Sequence, residues 1–285
     1  MKLRKLLGIK KKQPLFKQVQ VGNYSLLANG IHPVEDNLKY NKYYSRNLPR
    51  IAKYLESKYP TYGIIDVGAN IGDTVALIRS HGVKQHIYAV EGEPTYVGML
   101  KQNMGLFKDV TVFETFLGEA THRLDGGTEV TDGTARLNKN SGTQIQVTKL
   151  DDLATENNLQ NIKLLKIDTD GFDFKILRGS LGFIKEQKPV IFFEYDAVYL
   201  EEQGENGTDI FASLHNLGYN TALFYDNYGK LLLSLTIDNT ATITQLYNYM
   251  RKKESAFPYY DVCVFHKNDE GLANEVLAKE TAFFS

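Results

Sequence analysis

The stretch "IIDVGANIGDT" at residues 64–74 restricts the fold of this chain more than any other part of the sequence. Two apolar residues lead into Asp66, and a turn built on Gly68 and Gly72 follows directly. An apolar run that passes through a glycine-rich turn into a helical pattern is typical of the first strand and helix of a parallel α/β sheet. Ligands of such sheets bind beyond the carboxyl ends of the strands, where a glycine turn lets the backbone approach them closely. We therefore expect a binding site at this turn.

The same succession of strand and helix recurs along most of the chain. Helices are expected from about Thr74 and from Pro94. The predicted strands are "YGIIDVG", "QHIYAVE", "DVTVFETFLG", "IKLLKIDTDG", "KPVIFFEYD", "NTALFYD", "KLLLSLT" and "YDVCVFH". Strands that alternate with helices form a parallel sheet with right-handed crossovers, so the sequence predicts an α/β fold. The pattern weakens between Glu119 and Gln146, which predicts loops or a small hairpin that contact the substrate.

Composition restricts the class of protein. With 285 residues, 42% of them hydrophobic, the chain can bury a sizeable core, and its net charge of −1 gives no general reason to bind nucleic acid. Cys263 is the single cysteine, so no internal disulfide can form, and no signal peptide opens the chain. A cytoplasmic location is therefore predicted.

Residues 1–60 are predicted to form an N-terminal extension made of a basic tail and a helix, and residues 61–285 to form the main domain. The tail, "MKLRKLLGIKKK", is both basic and amphipathic. Segments of this kind bind weakly to anionic lipids, so peripheral contact with the inner membrane surface is a further expectation.

The spacing of the glycine turn indicates the class of ligand. Two glycines separated by three residues do not match the dinucleotide motif GxGxxG, and no Gly-Lys-Ser/Thr follows, so pyrophosphate binding and a nicotinamide dehydrogenase are disfavoured. Asp66, just before the turn, suits a ligand with an ammonium group. Glu91 ends the second predicted strand, where a carboxylate can accept two hydrogen bonds from the cis hydroxyls of a ribose. An amino-acid end near Asp66 and a ribose near Glu91 describe S-adenosylmethionine.

The order of the motifs resembles the FkbM-type S-adenosylmethionine-dependent methyltransferases. The resemblance spans roughly residues 62–196 and rests on "IIDVGANIGDT", "IYAVEGEP", "VTKLDDL", "LLKIDTDGFDFKILRGS" and "PVIFFEYD". It implies a class I methyltransferase fold, which is Rossmann-like, with a seven-stranded, mostly parallel sheet and helices on both faces. It also implies O-methylation of a sugar, a glycan or another small hydroxylated metabolite.

Positions carried over from the family give a set of expected site residues. The donor site is expected to comprise Asp66, Gly68, Ala69, Asn70, Gly72, Asp73, Thr74, Glu91 and Gly92. Two departures from the family pattern stand out. Gly92 lies where proline is usual, and Asp170 lies where glutamate is more common. Both motifs keep their acid, so donor binding is expected to survive, while the acceptor pocket is expected to differ.

The acids that end the fourth and fifth predicted strands are the catalytic candidates: Asp168, Asp170 and Glu194. The acceptor hydroxyl must lose a proton during methyl transfer, and a carboxylate base contributes about 10²–10⁴-fold to such a step. We expect Asp168 to act as the base or to orient the acceptor, with Glu194 as the second candidate. The structural alternative is that Asp168 only caps the following helix and that Glu194 only orients the backbone. Carboxylates also suit a divalent cation, but no histidine lies near them in sequence, so no metal site is predicted.

Other functions stay open at this point. The alternative acceptors are a nitrogen atom of a small molecule and a hydroxyl group of a lipid or polyketide. A non-catalytic S-adenosylmethionine-binding module is disfavoured because Asp168 and Asp170 are present. His32 in "NGIHPVED" is interpreted as a surface residue, as most lone loop histidines are.

Overall fold

The computed structural model describes the chain from residue 15 onwards, except for residues 126–143 and 253, and within 126–143 it describes only the backbone of two strands. The basic tail and its predicted membrane contact lie outside the described residues. The strands are β1 (Phe16–Val21), β2 (Tyr24–Asn29), β3 (Gly63–Val67), β4 (His86–Glu91), β5 (Val110–Glu114), β6 (Phe116–Leu117), β7 (His122–Asp125), β8 (Gly127–Thr131), β9 (Thr134–Asn138), β10 (Gln144–Thr148), β11 (Ile162–Ile167), β12 (Val190–Asp196), β13 (Tyr219–Asp226), β14 (Leu231–Thr236) and β15 (Tyr259–His266). The helices are α1 (Val34–Tyr40), α2 (Asn47–Leu55), α3 (Asp73–Ser80), α4 (Pro94–Met104), α5 (Leu150–Glu156), α6 (Asp173–Arg178), α7 (Leu181–Gln187), α8 (Ala197–Glu202), α9 (Asp209–Asn216), α10 (Thr240–Met250) and α11 (Glu270–Phe284). None of these helices is long and apolar enough to cross a membrane.

The central sheet has eight strands in the order β14-β13-β15-β12-β11-β3-β4-β5. The strands from β12 to β5 in this order pair in parallel, whereas β15 runs antiparallel to both of its neighbours, β12 and β13. One reversed strand within a parallel sheet is the class I methyltransferase arrangement, so the predicted fold class is confirmed. The strand β14 lies at the edge, pairs antiparallel with β13 as a second reversed strand, and extends the expected seven-stranded sheet by one.

Apolar cores cover both faces of the central sheet. All five residues of β3 are buried, as is every residue of β12 except Glu194. Such continuous burial explains why these strands are largely apolar rather than alternating, with Asp66 in β3 and Glu194 and Asp196 in β12 as the exceptions. Phe174 of α6 packs in the core on one face, and Val75 of α3 and Val276 of α11 pack in the core on the other. The prediction of helices on both faces is therefore confirmed.

The N-terminal extension contains a β-hairpin that the sequence analysis did not predict. Strands β1 and β2 pair antiparallel around a two-residue turn at Gly22 and Asn23, a composition that favours hairpins. The apolar side of the hairpin packs with Ile71, Ala76 and Leu77, which belong to the glycine turn and α3. The extension thus shares a core with the turn. The domain boundary at residue 60 stays a prediction.

The segment "DVTVFETFLG", predicted as one strand, forms two. β5 belongs to the central sheet, whereas β6 pairs with β10 in a separate three-stranded sheet of order β6-β10-β7. The break falls at Thr115, whose amide donates to the Glu91 carbonyl at 3.0 Å. The hairpin expected between Glu119 and Gln146 is present as the antiparallel pair β8 and β9.

A buried ion pair joins the first and last parts of the chain. Arg50 of α2 donates from Nε to Glu280 Oε1 of α11 at 2.7 Å, and its Nη2 reaches Glu280 Oε2 at the same distance. The side chains are 6% and 0% exposed. The guanidinium also lies over the Phe283 ring, 4.2 Å from its centre. Since neither charge contacts bulk water, each depends on the other.

We expect Glu280→Ala to lower the free energy of unfolding by about 3–5 kcal/mol, because it leaves the Arg50 charge buried without its partner. Urea unfolding followed by circular dichroism measures this loss. Glu275→Ala is the matched control on the same helix, where an exposed pair with Lys279 at 2.6 Å should contribute less than about 1 kcal/mol. Equal losses in the two variants would contradict the role of the buried pair.

Candidate active site

A cavity of about 550 Å³ lies beyond the carboxyl ends of β3, β4 and β11. This volume is in the range of small-molecule sites, roughly 300–1,000 Å³. Its polar side includes Glu91 of β4 and Asp168 after β11. Its apolar side includes Phe116, Leu117 and Val147 from the three-stranded sheet. The cavity therefore lies where the sequence analysis expected a ligand.

The glycine turn after β3 is shaped by the neighbouring strand. Gly68 has φ +75°, and a Cβ atom at this residue would lie 2.0 Å from the Asp168 carbonyl oxygen. Gly72 has φ +87°, and its Cβ would lie 2.2 Å from Met104 Cε of α4. The atoms that exclude a side chain at these two glycines belong to the protein itself. Gly68 also lines the cavity, and its close contact with a ligand stays a prediction.

Glu91 is a buried carboxylate held by backbone amides. Its Oε1 accepts from the amides of Gly92 and Glu93, and its Oε2 accepts from the amide of Asn70, each at 2.9 Å. Burial raises the pKa of Glu91, and these backbone hydrogen bonds oppose that rise. A carboxylate has about four acceptor sites. Three are used here, so one hydrogen bond from a ligand hydroxyl can still be accepted.

Gly92 leaves room for the ring of Phe116, which packs directly against its backbone. A Cβ at Gly92 would lie 2.4 Å from the Phe116 ring, so the absence of a side chain lets this ring reach the end of β4. Both residues line the cavity. The departure from the family pattern at Gly92 thus places an aromatic ring beside Glu91.

His32 is buried, with 6% exposure, and its interpretation as a surface residue is wrong. Its Nδ1 accepts from the Val34 amide at 3.3 Å, which assigns the ring proton to Nε2. Nε2 then donates to Asn70 Oδ1 at 3.0 Å. Asn70 lies in the glycine turn, has φ +50° and lines the cavity. The N-terminal extension therefore supports the turn, a role that no local sequence signal indicates.

Asp66 is fully buried and pairs with Lys166 of β11, whose Nζ lies 2.9 Å from Asp66 Oδ1. Burial raises the pKa of Asp66, and the ammonium group of Lys166 opposes this. Asp66 does not line the cavity. The ammonium group beside Asp66 is that of Lys166. A contact between Asp66 and the ammonium group of a ligand stays a prediction.

The three catalytic candidates have different surroundings. The Asp168 side chain is 52% exposed and lines the cavity, as does Asp170, which has φ +51°. Glu194 lies outside the lining, and its Oε2 is buried without a hydrogen-bond partner among the described residues. Burial raises the pKa of Glu194 well above its usual range, and nearby carboxylates raise it further. A carboxyl group that holds its proton is a poor base, so the geometry favours Asp168 over Glu194.

The expected site residues fall into two groups. The cavity is lined by Gly68, Asn70, Glu91, Gly92, Asp168 and Asp170. The remaining candidates lie outside its lining: Asp66, Ala69, Gly72, Asp73, Thr74 and Glu194. The roles of both groups stay predictions. Among the described residues, no group of three or more His, Cys, Asp or Glu side chains could hold a metal ion.

Asp173 at the start of α6 holds the turn that carries Asp168 and Asp170. Its Oδ2 accepts from the Thr169 amide at 3.4 Å, from Thr169 Oγ1 at 3.1 Å and from the Gly171 amide at 3.3 Å. Burial, followed by the charge of Asp168, raises the pKa of Asp173 to about 7. This carboxyl group therefore binds a proton more readily in the folded chain than in the unfolded chain.

We expect Gly68→Ala to destabilise the protein more than Gly82→Ala. Both glycines have almost the same φ, +75° and +76°, so both variants incur about 1–2 kcal/mol of backbone strain. Only at Gly68 does the new Cβ meet another atom, since nothing lies within 4 Å of a Cβ at Gly82. Urea unfolding of the two variants measures the difference. Equal stability would show that the contact with Asp168 relaxes freely.

The raised pKa of Asp173 predicts a pH dependence of stability. Between about pH 4 and 7 the folded state binds more protons at this group than the unfolded state, so its contribution to stability falls as the pH rises. Asp173→Asn removes this term and leaves an oxygen acceptor. The variant should therefore gain stability relative to the wild type when the pH is raised from 5 to 8, as measured by urea unfolding. Asp209→Asn, at the exposed start of α9, is the control. A pH-independent difference for Asp173→Asn would contradict this reasoning.

The chain is similar in sequence to known methyltransferases. A family model described as "Methyltransferase FkbM domain" matches residues 66–221. The chain is also similar to the 2-O-methyltransferase NoeI of Sinorhizobium fredii (strain NBRC 101917 / NGR234), with 23% identity over 195 residues that cover 61% of this chain and 76% of NoeI.

Solved structures also show similarity to this chain. Methyltransferase FkbM from Methylobacillus flagellatus KT matches with 19% identity and a TM-score of 0.39. That match covers 57% of this chain but only 40% of the other. M. jannaschii TYW2, solved in complex with AdoMet, matches with 13% identity and a TM-score of 0.40 over 90% of this chain and 89% of its own. The family model alone matches more than half of this chain, and the matched residues include Gly68, Glu91 and Asp168 of the cavity. The chain therefore belongs to the FkbM methyltransferase family.

Proposed function

We propose that this protein transfers a methyl group from S-adenosylmethionine to a hydroxyl group of a sugar, a glycan or another small hydroxylated metabolite. The observation that carries the proposal is that Glu91 and Asp168 line the same cavity. One is a buried carboxylate that can accept a ribose hydroxyl, and the other is a partly exposed carboxylate that can accept a proton. The name of the relative NoeI, a 2-O-methyltransferase, supports oxygen as the accepting atom.

The residues of the cavity fit this donor. Glu91 retains one acceptor site for a ribose hydroxyl after its three backbone hydrogen bonds. Phe116 and Leu117 offer an apolar surface of the kind that an adenine ring contacts. Gly68 and Asn70 supply the turn for the amino-acid end. When bound, S-adenosylmethionine supplies a methyl group attached to a positively charged sulfur atom.

We assign the proton of the acceptor hydroxyl to Asp168. The hydroxyl must lose this proton as its oxygen forms a bond to the methyl carbon, and the bond from carbon to sulfur breaks in the same event. A carboxylate with half of its side chain exposed can accept the proton and pass it to solvent. Glu194 is the weaker candidate because burial favours its protonated form.

Two variants separate donor binding from chemistry. Glu91→Ala should weaken binding of S-adenosylhomocysteine by about 1–3 kcal/mol, because it removes a hydrogen-bonding carboxylate. Asp168→Asn keeps the shape of the side chain but removes the base, so turnover should fall about 10²–10⁴-fold while donor affinity changes little. Calorimetry measures the first effect. Transfer of label from S-adenosylmethionine to a panel of oligosaccharides, nucleotide sugars, hydroxylated lipids and small amines measures the second.

The same assay contains the outcomes that would contradict the proposal. Binding of S-adenosylhomocysteine without transfer to any hydroxyl, lipid or amine in the panel would indicate a non-catalytic binding module. Methylation of amines alone would exclude oxygen as the acceptor atom. Loss of turnover with EDTA, restored by Mg²⁺, would make Asp168 a metal ligand rather than a base. Full turnover of Asp168→Asn without a metal effect would leave catalysis to the alignment of the reactants.

A further inference from the structure

Lys166 is a buried cation at the carboxyl edge of the central sheet, with 4% of its side chain exposed. Its Nζ lies 2.9 Å from Asp66 Oδ1 and 3.6 Å from Asp168 Oδ2. It also donates to the carbonyl oxygens of Gly68 at 3.1 Å and Val67 at 3.3 Å. A buried ammonium group is costly unless charged or polar partners surround it. Here the partners are Asp66 and Val67 of β3, Gly68 of the glycine turn, and the catalytic candidate Asp168.

Asp168 lies among other acids. The carboxyl groups that interact with it electrostatically are Asp66 of β3, Asp73 of α3, Asp173 of α6, Glu194 of β12 and Asp261 of β15. The hydroxyl groups of Tyr44 and Tyr259 face it as well. Each negative neighbour disfavours a second negative charge, whereas the cation of Lys166 favours it. Burial lowers the pKa of Lys166, but Asp66 and Asp168 more than offset this and leave its pKa above the usual value.

We propose that Lys166 is the positioning residue that couples the glycine turn to Asp168: it ties the carbonyl of Gly68 to β11 and places its cation beside the Asp168 carboxylate, which lies among other acids. The mechanistic part of this inference rests on the proposed role of Asp168 as the proton acceptor. The electrostatic part does not, because it concerns only groups of this chain. Lys166 itself does not line the cavity, so it acts through Gly68 and Asp168, which do.

The test removes the charge of Lys166 and observes Asp168 directly. Lys166→Met also leaves Asp66 buried without a cation, and this variant alone can fail to fold. The double variant Asp66→Asn/Lys166→Met removes both charges of the pair, and Asp66→Asn alone is its reference. We expect the titration midpoint of the Asp168 carboxyl carbon, followed by NMR, to lie about 1–3 pH units higher in the double variant than in the reference. The acidic limb of the pH profile of turnover should move in the same direction.

Lys163→Met is the matched control on the same strand. Lys163 donates to the Gln187 carbonyl at 2.8 Å, away from the carboxyl edge, so the Asp168 midpoint should not change. An unchanged midpoint in the double variant would overturn the proposal. A shifted midpoint with an unchanged pH profile would support the electrostatic role of Lys166 and reject Asp168 as the base. The NMR measurement needs no acceptor, so failure of the proposed function is distinguishable from failure of this inference.

Discussion

The contact between the chain leaving β3 and the chain leaving β11 determines the geometry of the rest of the site. The backbone at Gly68 passes so close to the Asp168 carbonyl that no side chain fits between them. Because β3 also pairs with β4, this contact fixes the position of Asp168 relative to Glu91 at the end of β4. The glycine turn therefore allows the ends of β3 and β11 to pack together, and the shape of the cavity depends on this packing.

The central sheet and its terminal acids could be predicted from the sequence, because both leave local patterns. Strands buried on both faces are largely apolar, as in β3 and β12, and Glu91 and Asp168 are charged residues at or just beyond the ends of such strands. The supporting residues could not be predicted in this way. His32 reaches Asn70 across 38 residues of sequence, and Lys166 reaches the Gly68 carbonyl across 98. A lone polar residue carries no signal for a partner so distant.

The N-terminal extension illustrates a second limit of local patterns. Its hairpin has short, half-buried strands, and its apolar residues pack against Ile71, Ala76 and Leu77. The family match begins only at residue 66, after both this hairpin and His32. The residues that contact His32 lie both before and after residue 66: Val34 precedes it, and Asn70 and Tyr96 follow it. Burial of His32 therefore depends on both segments of the chain. The segment that matches the family model and the segment that supports the glycine turn are thus different parts of the chain.

The three-stranded sheet β6-β10-β7 has hydrogen-bonded ladders of its own and is separate from the eight-stranded sheet. It nevertheless contributes Phe116, Leu117 and Val147 to the cavity. The cavity thus has two hydrogen-bonded frameworks: the ladders of the large sheet position Glu91 and Asp168, and the ladders of the small sheet position part of the apolar lining. A substitution of the Leu117 or Val147 side chain therefore changes this lining without removing a backbone hydrogen bond between β3, β4 and β11.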